Sequence, residues 1–266
     1  MAKAVEVSVT SWRKNLVKAG AERGRVLLMP GTGYTCDRPL LYWSGQALAQ
    51  DGWRIDRMNV RNASDDLSAV LPVLCDAVDR WVGEVRGEAA AAGRPAPRLL
   101  LIGKSLTTMT YPHVACAFGL PFVLLTPVLH HADFDPSRRV IPVPAMADGA
   151  LRAEDDPALA AARVAAGLGA AARPAAGGAV GAGEGVGIAG AGGADARAAA
   201  YPGPAPLVCA GTADPFYDRA RANALTPHVH EYPDANHSIE VPGHWRRSLD
   251  FLKEVTASVS QYAATI

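Results

Sequence analysis

The stretch that most constrains the fold is residues 98–108, RLLLIGKSLTT. Leu99, Leu100, Leu101 and Ile102 form an unbroken aliphatic run, which suits a strand covered on both faces of a sheet. The run stops at Gly103, and Lys104 and Ser105 lead into residues of helical character. A strand that turns so abruptly into a helix holds one hydroxyl out at the carboxyl edge of the sheet. Such a turn, a nucleophile elbow, needs glycine two places before the serine because a side chain there would strike the strand. The pattern also asks for a small residue two places after the serine, where this chain carries Thr107. A β-branched side chain at that point is expected to crowd helix against strand and distort the elbow.

The flanking sequence repeats the alternation of strand and helix. Residues 5–9 alternate apolar and polar, as an edge strand does. Residues 25–29, RVLLM, are apolar enough for a strand covered on both faces, and Pro30-Gly31-Thr32-Gly33-Tyr34 follows directly. Pro39–Gln50 reads as a helix with Leu40, Leu41, Ala47 and Leu48 inward, stopped by Asp51-Gly52. Residues 53–60 alternate as a strand. Ser64-Asp65 then offers an N-cap to a long amphipathic helix, which Pro72 starts or kinks. After the elbow come a helix over 109–118, buried strands over 121–127 and 207–210, a helix over Arg219–Leu225 and a strand over Val229–Tyr232. Residues 243–264 close the chain as a helix with a stripe of Trp245, Leu249, Leu252 and Val255. This order predicts an α/β fold: a mostly parallel, doubly wound sheet with right-handed crossovers and helices on both faces.

The pattern breaks between residues 144 and 204, where the chain becomes rich in Ala and Gly and carries few side chains able to pack. The chain accordingly divides into a first core segment (1–143), this insertion (144–204) and a second core segment (205–266). Asp156-Pro157 suits the start of a short alanine-rich helix. Residues 177–193 cannot bury enough apolar area to offset their backbone entropy, so the insertion is expected to be a mobile lid or disordered. A frameshifted or expanded GC-rich coding segment is the alternative.

A nucleophilic serine needs a base to take its proton and an acid to hold that base. Asp214 stands just past the apolar run Leu207-Val208-Cys209-Ala210, in a loop at the edge where Ser105 sits. His237 follows after enough chain for one helix and one strand, so it returns to the same edge. The chain order serine, acid, histidine is that of a hydrolase sheet. Asp133 and Asp135 are the competing acids. A developing oxyanion would meet the backbone N–H of Leu106, just after the elbow, and that of Thr32 in the glycine turn, with Gly31 or Gly33 as alternates for the second.

Other residues carry weaker signals. His130 and His131 are adjacent and lack a third ligand at metal spacing, so no metal is expected. His113, His228, His230 and His244 have no partner in sequence. Lys104 reads as solvated, or as a cation favouring acidic substrates. Tyr34, Trp43 and Phe216 are candidates for an acyl pocket or for core. The 26 Lys and Arg balance 26 Asp and Glu, which gives no electrostatic reason to expect nucleic acid or an anionic membrane as partner. Cys36, Cys75, Cys116 and Cys209 lie far apart in apolar surroundings and read as thiols of a reducing compartment. No targeting segment or membrane span is legible, and a cytoplasmic location is expected.

Taken together, Gly103-Lys104-Ser105-Leu106-Thr107-Thr108, Thr126-Pro127-Val128, Gly211-Thr212-Ala213-Asp214-Pro215 and Asn236-His237-Ser238-Ile239-Glu240-Val241 resemble the α/β-hydrolase superfamily. More narrowly they resemble small bacterial serine hydrolases with a G-K-S-L-G-T elbow, from which Thr107 and the Ala/Gly insertion depart. The resemblance covers most of the chain outside 144–204. It implies a serine hydrolase of a carboxylic ester, thioester or lactone with a small-molecule acyl substrate and no cofactor. An acyltransferase or cyclising thioesterase on the same residues is the alternative, as is a binding protein that has lost turnover, for which Thr107 is the best support.

Overall fold

The structure is a computed structural model that describes residues 4–61, 67–129 and 201–266. The Ser64-Asp65 cap, His130, His131, Asp133, Asp135, Asp156-Pro157 and the body of the Ala/Gly insertion lie outside those residues. In chain order the elements are β1 (Glu6–Ser11), β2 (Gly24–Met29), α1 (Pro39–Gln50), β3 (Trp53–Arg61), α2 (Leu67–Ala91) and β4 (Arg98–Lys104). A 3-10 turn (Ser105–Thr110), α3 (Tyr111–Phe118), β5 (Phe122–Leu125), β6 (Leu207–Gly211), α4 (Arg219–Leu225), β7 (Val229–Tyr232) and α5 (Trp245–Ala264) follow.

The seven strands form one sheet in the order β1-β3-β2-β4-β5-β6-β7. β1 pairs antiparallel with β3 and every other pairing is parallel. The unbroken aliphatic runs are explained by what lies on each side. Leu27, Met29, Leu99 and Leu101 face the core made with α2 and α3, whereas Val26, Leu28, Leu100 and Ile102 face the core made with α1 and α5. Alternate side chains of one strand enter opposite layers, so both registers must be apolar. Register places the ends of β2 and β4 side by side, Met29 opposite Gly103, and Lys104 opposite Leu125 of β5. The carboxyl ends of β2, β4, β5 and β6 therefore share one edge.

Three local expectations are corrected. The helix after the elbow is not continuous from 109: a 3-10 turn comes first, in which the Thr108 and Thr110 hydroxyls donate to carbonyls three residues back, those of Ser105 and Thr107. Side-chain bonds of this kind compete with the α pattern, and Pro112 then suits the start of α3. Pro72 lies inside α2 rather than at its start. In α5 the buried stripe is Phe251, Val255, Val259 and Tyr262, while Trp245 and Leu249 are exposed. Tyr201, in the range assigned above to the insertion, is buried, its ring 5.2 Å from that of Tyr111. Among the described residues no helix is long and apolar enough to cross a membrane.

Candidate active site

Ser105 sits where β4 turns into the 3-10 turn, with φ of 53°. Non-glycine residues rarely adopt this left-handed region, and they hold it at sites where the surrounding structure imposes it. Gly103 permits the turn: a Cβ there would lie 3.0 Å from the Phe122 ring and 3.1 Å from the Thr107 carbonyl oxygen. Thr107 fits instead of crowding. Its side chain is fully buried, and its hydroxyl accepts the Lys104 N–H at 3.1 Å and donates to the Met29 carbonyl at 3.0 Å. The threonine thus pins the end of β2 to the elbow.

The acid and histidine loops arrive from β6 and β7. Thr212 N–H donates to the Tyr232 carbonyl at 3.0 Å and Ala213 N–H to the Ala235 carbonyl at 2.9 Å, which ties the two loops together. Gly211 allows the approach, because a Cβ there would fall 2.1 Å from the Ala235 oxygen. Asn236 organises the histidine loop: its Oδ1 accepts the N–H of Ser238 at 2.8 Å and that of Glu240 at 3.1 Å. Asn236 was legible only as loop polarity, although an Asn bonding amides further along the chain is a recognised turn device.

The three side chains paired from sequence meet. His237 Nε2 is 2.8 Å from Ser105 Oγ, and His237 Nδ1 is 2.8 Å from Asp214 Oδ2. The other Asp214 oxygen accepts the Phe216 N–H at 2.9 Å, and Asp214 is buried whereas His237 is partly open. The Phe216 ring lies 4.6 Å from the imidazole, so this aromatic borders the site.

In the turn after β2, Gly31 N–H is bonded to the Tyr34 carbonyl, and Tyr34 N–H to that of Gly31. Gly31 is therefore occupied as a donor, while the Thr32 and Gly33 amides make no hydrogen bond among the described residues. Leu106 is the second residue of the 3-10 turn, where a backbone N–H has no acceptor in a preceding turn. Lys104 is not solvated. It is 3% exposed, its Nζ lies 4.7 Å from the Tyr34 ring centroid, and burial pulls its pKa down to about 8 against the opposing pull of Asp214. Thr126 follows β5 directly, next to the elbow in register. It combines φ of 44° with a buried hydroxyl that lacks a hydrogen-bond partner among the described residues, a strained residue that its sequence did not betray.

The remaining candidates lie elsewhere. Trp43 is half exposed in a groove between α1 and α5, with Leu249 and Leu252, and borders none of the three meeting side chains. His113 is buried with Nε2 2.6 Å from Asp79, and His230 Nδ1 is 3.2 Å from the Ser258 hydroxyl. Among the described residues no group of three His, Cys, Asp or Glu side chains is arranged to hold a metal ion. Cys36, Cys75 and Cys209 are buried and Cys116 partly so.

A mostly parallel sheet carrying a serine on a strained turn after a central strand, with its acid and histidine loops further along the chain, is the α/β-hydrolase fold. Solved structures share it. A serine hydrolase without a lid from Xanthomonas campestris matches at 15% identity and a TM-score of 0.50, over 97% of this chain and 89% of its own. Est1E from Butyrivibrio proteoclasticus, solved with ferulic acid bound, matches at 13% and 0.51 over 98% and 94%. Thermogutta terrifontis esterase 2 matches at 14% and 0.51 over 96% and 90%. No family model matches the sequence, and no curated protein does.

Proposed function

We propose that the protein is a serine hydrolase of carboxylic esters, thioesters or lactones. The observation that carries the reading is the continuous chain of short contacts from Ser105 Oγ through His237 to Asp214. In the neutral imidazole, Nδ1–H donates to Asp214 and Nε2 accepts the Ser105 O–H. As Ser105 Oγ attacks the acyl carbon, its proton passes to Nε2, and buried Asp214 stabilises the imidazolium that forms. The carbonyl oxygen takes up negative charge and is met by the Leu106 and Thr32 amides, which await an acceptor. His237 then returns the proton to the leaving alkoxide or thiolate. Water, deprotonated by the same imidazole, releases the acid and restores Ser105.

A scaffold without turnover would need Thr107 to distort the elbow; its hydrogen bonds to the Lys104 N–H and the Met29 carbonyl favour the enzyme reading instead. An acceptor other than water would make the protein an acyltransferase or cyclising thioesterase without change to these residues. The test is a panel of p-nitrophenyl esters and acyl thioesters run with the Ser105→Ala protein as blank. Hydrolysis by the wild type that vanishes in the variant supports the reading, and equal background rates refute it.

A further inference from the structure

We propose that Lys104 is a positioning residue, whose buried stem carries the glycine turn and whose ammonium holds Tyr34, so that the turn's free amides stand against the serine. The proposal rests on the hydrolase reading of this site. A lysine cation is rarely buried without a partner, because taking it out of water is costly. Among the described residues Lys104 has no ion pair; what it meets is the face of Tyr34. A desolvated cation on an aromatic face is attracted by the ring's negative surface.

Tyr34 is fixed at both ends. Its backbone is paired with Gly31 in both directions, and its hydroxyl accepts the Leu40 N–H at 3.0 Å. The lysine stem lies directly under the turn: a Cβ at Gly31 would be 2.9 Å from Lys104 Cδ and 3.1 Å from Ser105 Cβ. One side chain therefore supports the turn at Gly31 and at Tyr34, while Gly31 itself lies against Ser105, and its charge is opposite in sign to the negative charge that develops there. The titratable groups that face it are Asp214 from the acid loop and Tyr34 from the turn; His237 of the histidine loop is bonded to the adjacent Ser105. Arg38 and Glu240 act on Tyr34 from further out. Because the Lys104 pKa lies at about 8, the cation is lost just above neutrality.

The test uses a fluorophosphonate probe, which Ser105 attacks through Oγ with loss of fluoride and passage of the proton to His237. Its rate is measured on the full-length wild type, Ser105→Ala, Lys104→Met and Tyr34→Leu. In the wild type, labelling at Ser105 is expected to slow as pH rises through about 8. Lys104→Met keeps the stem and removes the charge. It should react about tenfold more slowly at neutral pH, with unchanged probe affinity and no alkaline fall. Tyr34→Leu, which keeps the lysine and removes the ring, should lose rate likewise. A Lys104→Met protein with the wild-type rate and the wild-type alkaline fall overturns the proposal. Failure of the wild type itself to label at Ser105 is a separate result that overturns the hydrolase reading, and the proposal with it.

Discussion

Replacing Lys104 with methionine should slow the proposed chemistry and yet make the protein more stable. The side chain is 3% exposed, so little solvent screens it. Its pKa falls from the ordinary 10.5 to about 8 because burial penalises the charged form more than Asp214 favours it. Below pH 8 the folded and unfolded chains both carry the proton, and folding bears the full cost of burying the charge. Between about 8 and 10.5 the folded chain sheds its proton first, and the cost fades. At 1.36 kcal/mol per pKa unit, that cost amounts to about 3 kcal/mol. Methionine fills a similar volume with no charge, so Lys104→Met should gain up to about 3 kcal/mol in urea unfolding at neutral pH. The gain should disappear near the ordinary lysine range. The comparison must be between the two proteins at each pH, because other groups act in the opposite sense. Burial pushes the Cys36, Cys75 and Cys209 thiols up to about 12, a stabilisation present below the ordinary thiol pKa and lost as pH climbs above it. That loss is common to both proteins and cancels. A variant less stable than wild type at neutral pH, or a gain that does not change with pH, would refute the reasoning.

Thr107→Val removes a buried hydroxyl that bonds the Lys104 N–H and the Met29 carbonyl. It should lower unfolding stability by about 1–3 kcal/mol, measured by urea titration. Thr126→Val removes a buried hydroxyl that has no partner among the described residues, at nearly constant shape. It should raise stability by about 1 kcal/mol, and a loss in the same titration would mean that the hydroxyl is in use. Gly31→Ala places a methyl against Lys104 Cδ and Ser105 Cβ. By shifting the turn it should slow fluorophosphonate labelling by about 10- to 100-fold while the far-ultraviolet circular dichroism is unchanged.

What could be read from the sequence depended on whether a residue's neighbours along the chain decide its environment. The runs at 25–29 and 98–102 can only be covered strands, and once their alternation with helices is granted, Ser105, Asp214 and His237 must reach one edge. Helix α5 was harder, because two apolar stripes at helical spacing compete along it. One contains Trp245 and Leu249, the other Phe251, Val255, Val259 and Tyr262, and only packing on the sheet selects the second. The surroundings of Lys104 and Thr107 are hidden for a related reason. Their partners, Tyr34 and Met29, come from the neighbouring strand β2 and the turn after it, some seventy residues earlier in the chain, and nothing local announces that a lysine will lie under a glycine turn or that a threonine hydroxyl will bridge two strand ends. The left-handed backbone at Thr126 leaves no compositional trace.

The central claim is that Ser105, His237 and Asp214 act as one unit, and single-turnover hydrolysis of a p-nitrophenyl ester by Ser105→Ala, His237→Ala and the double variant tests it most directly. Members of one proton-transfer chain fail together, so each single variant should lose about 10³-fold or more and the double variant should be no slower than Ser105→Ala alone. Retention of activity in Ser105→Ala, or losses that multiply in the double variant, would contradict the account.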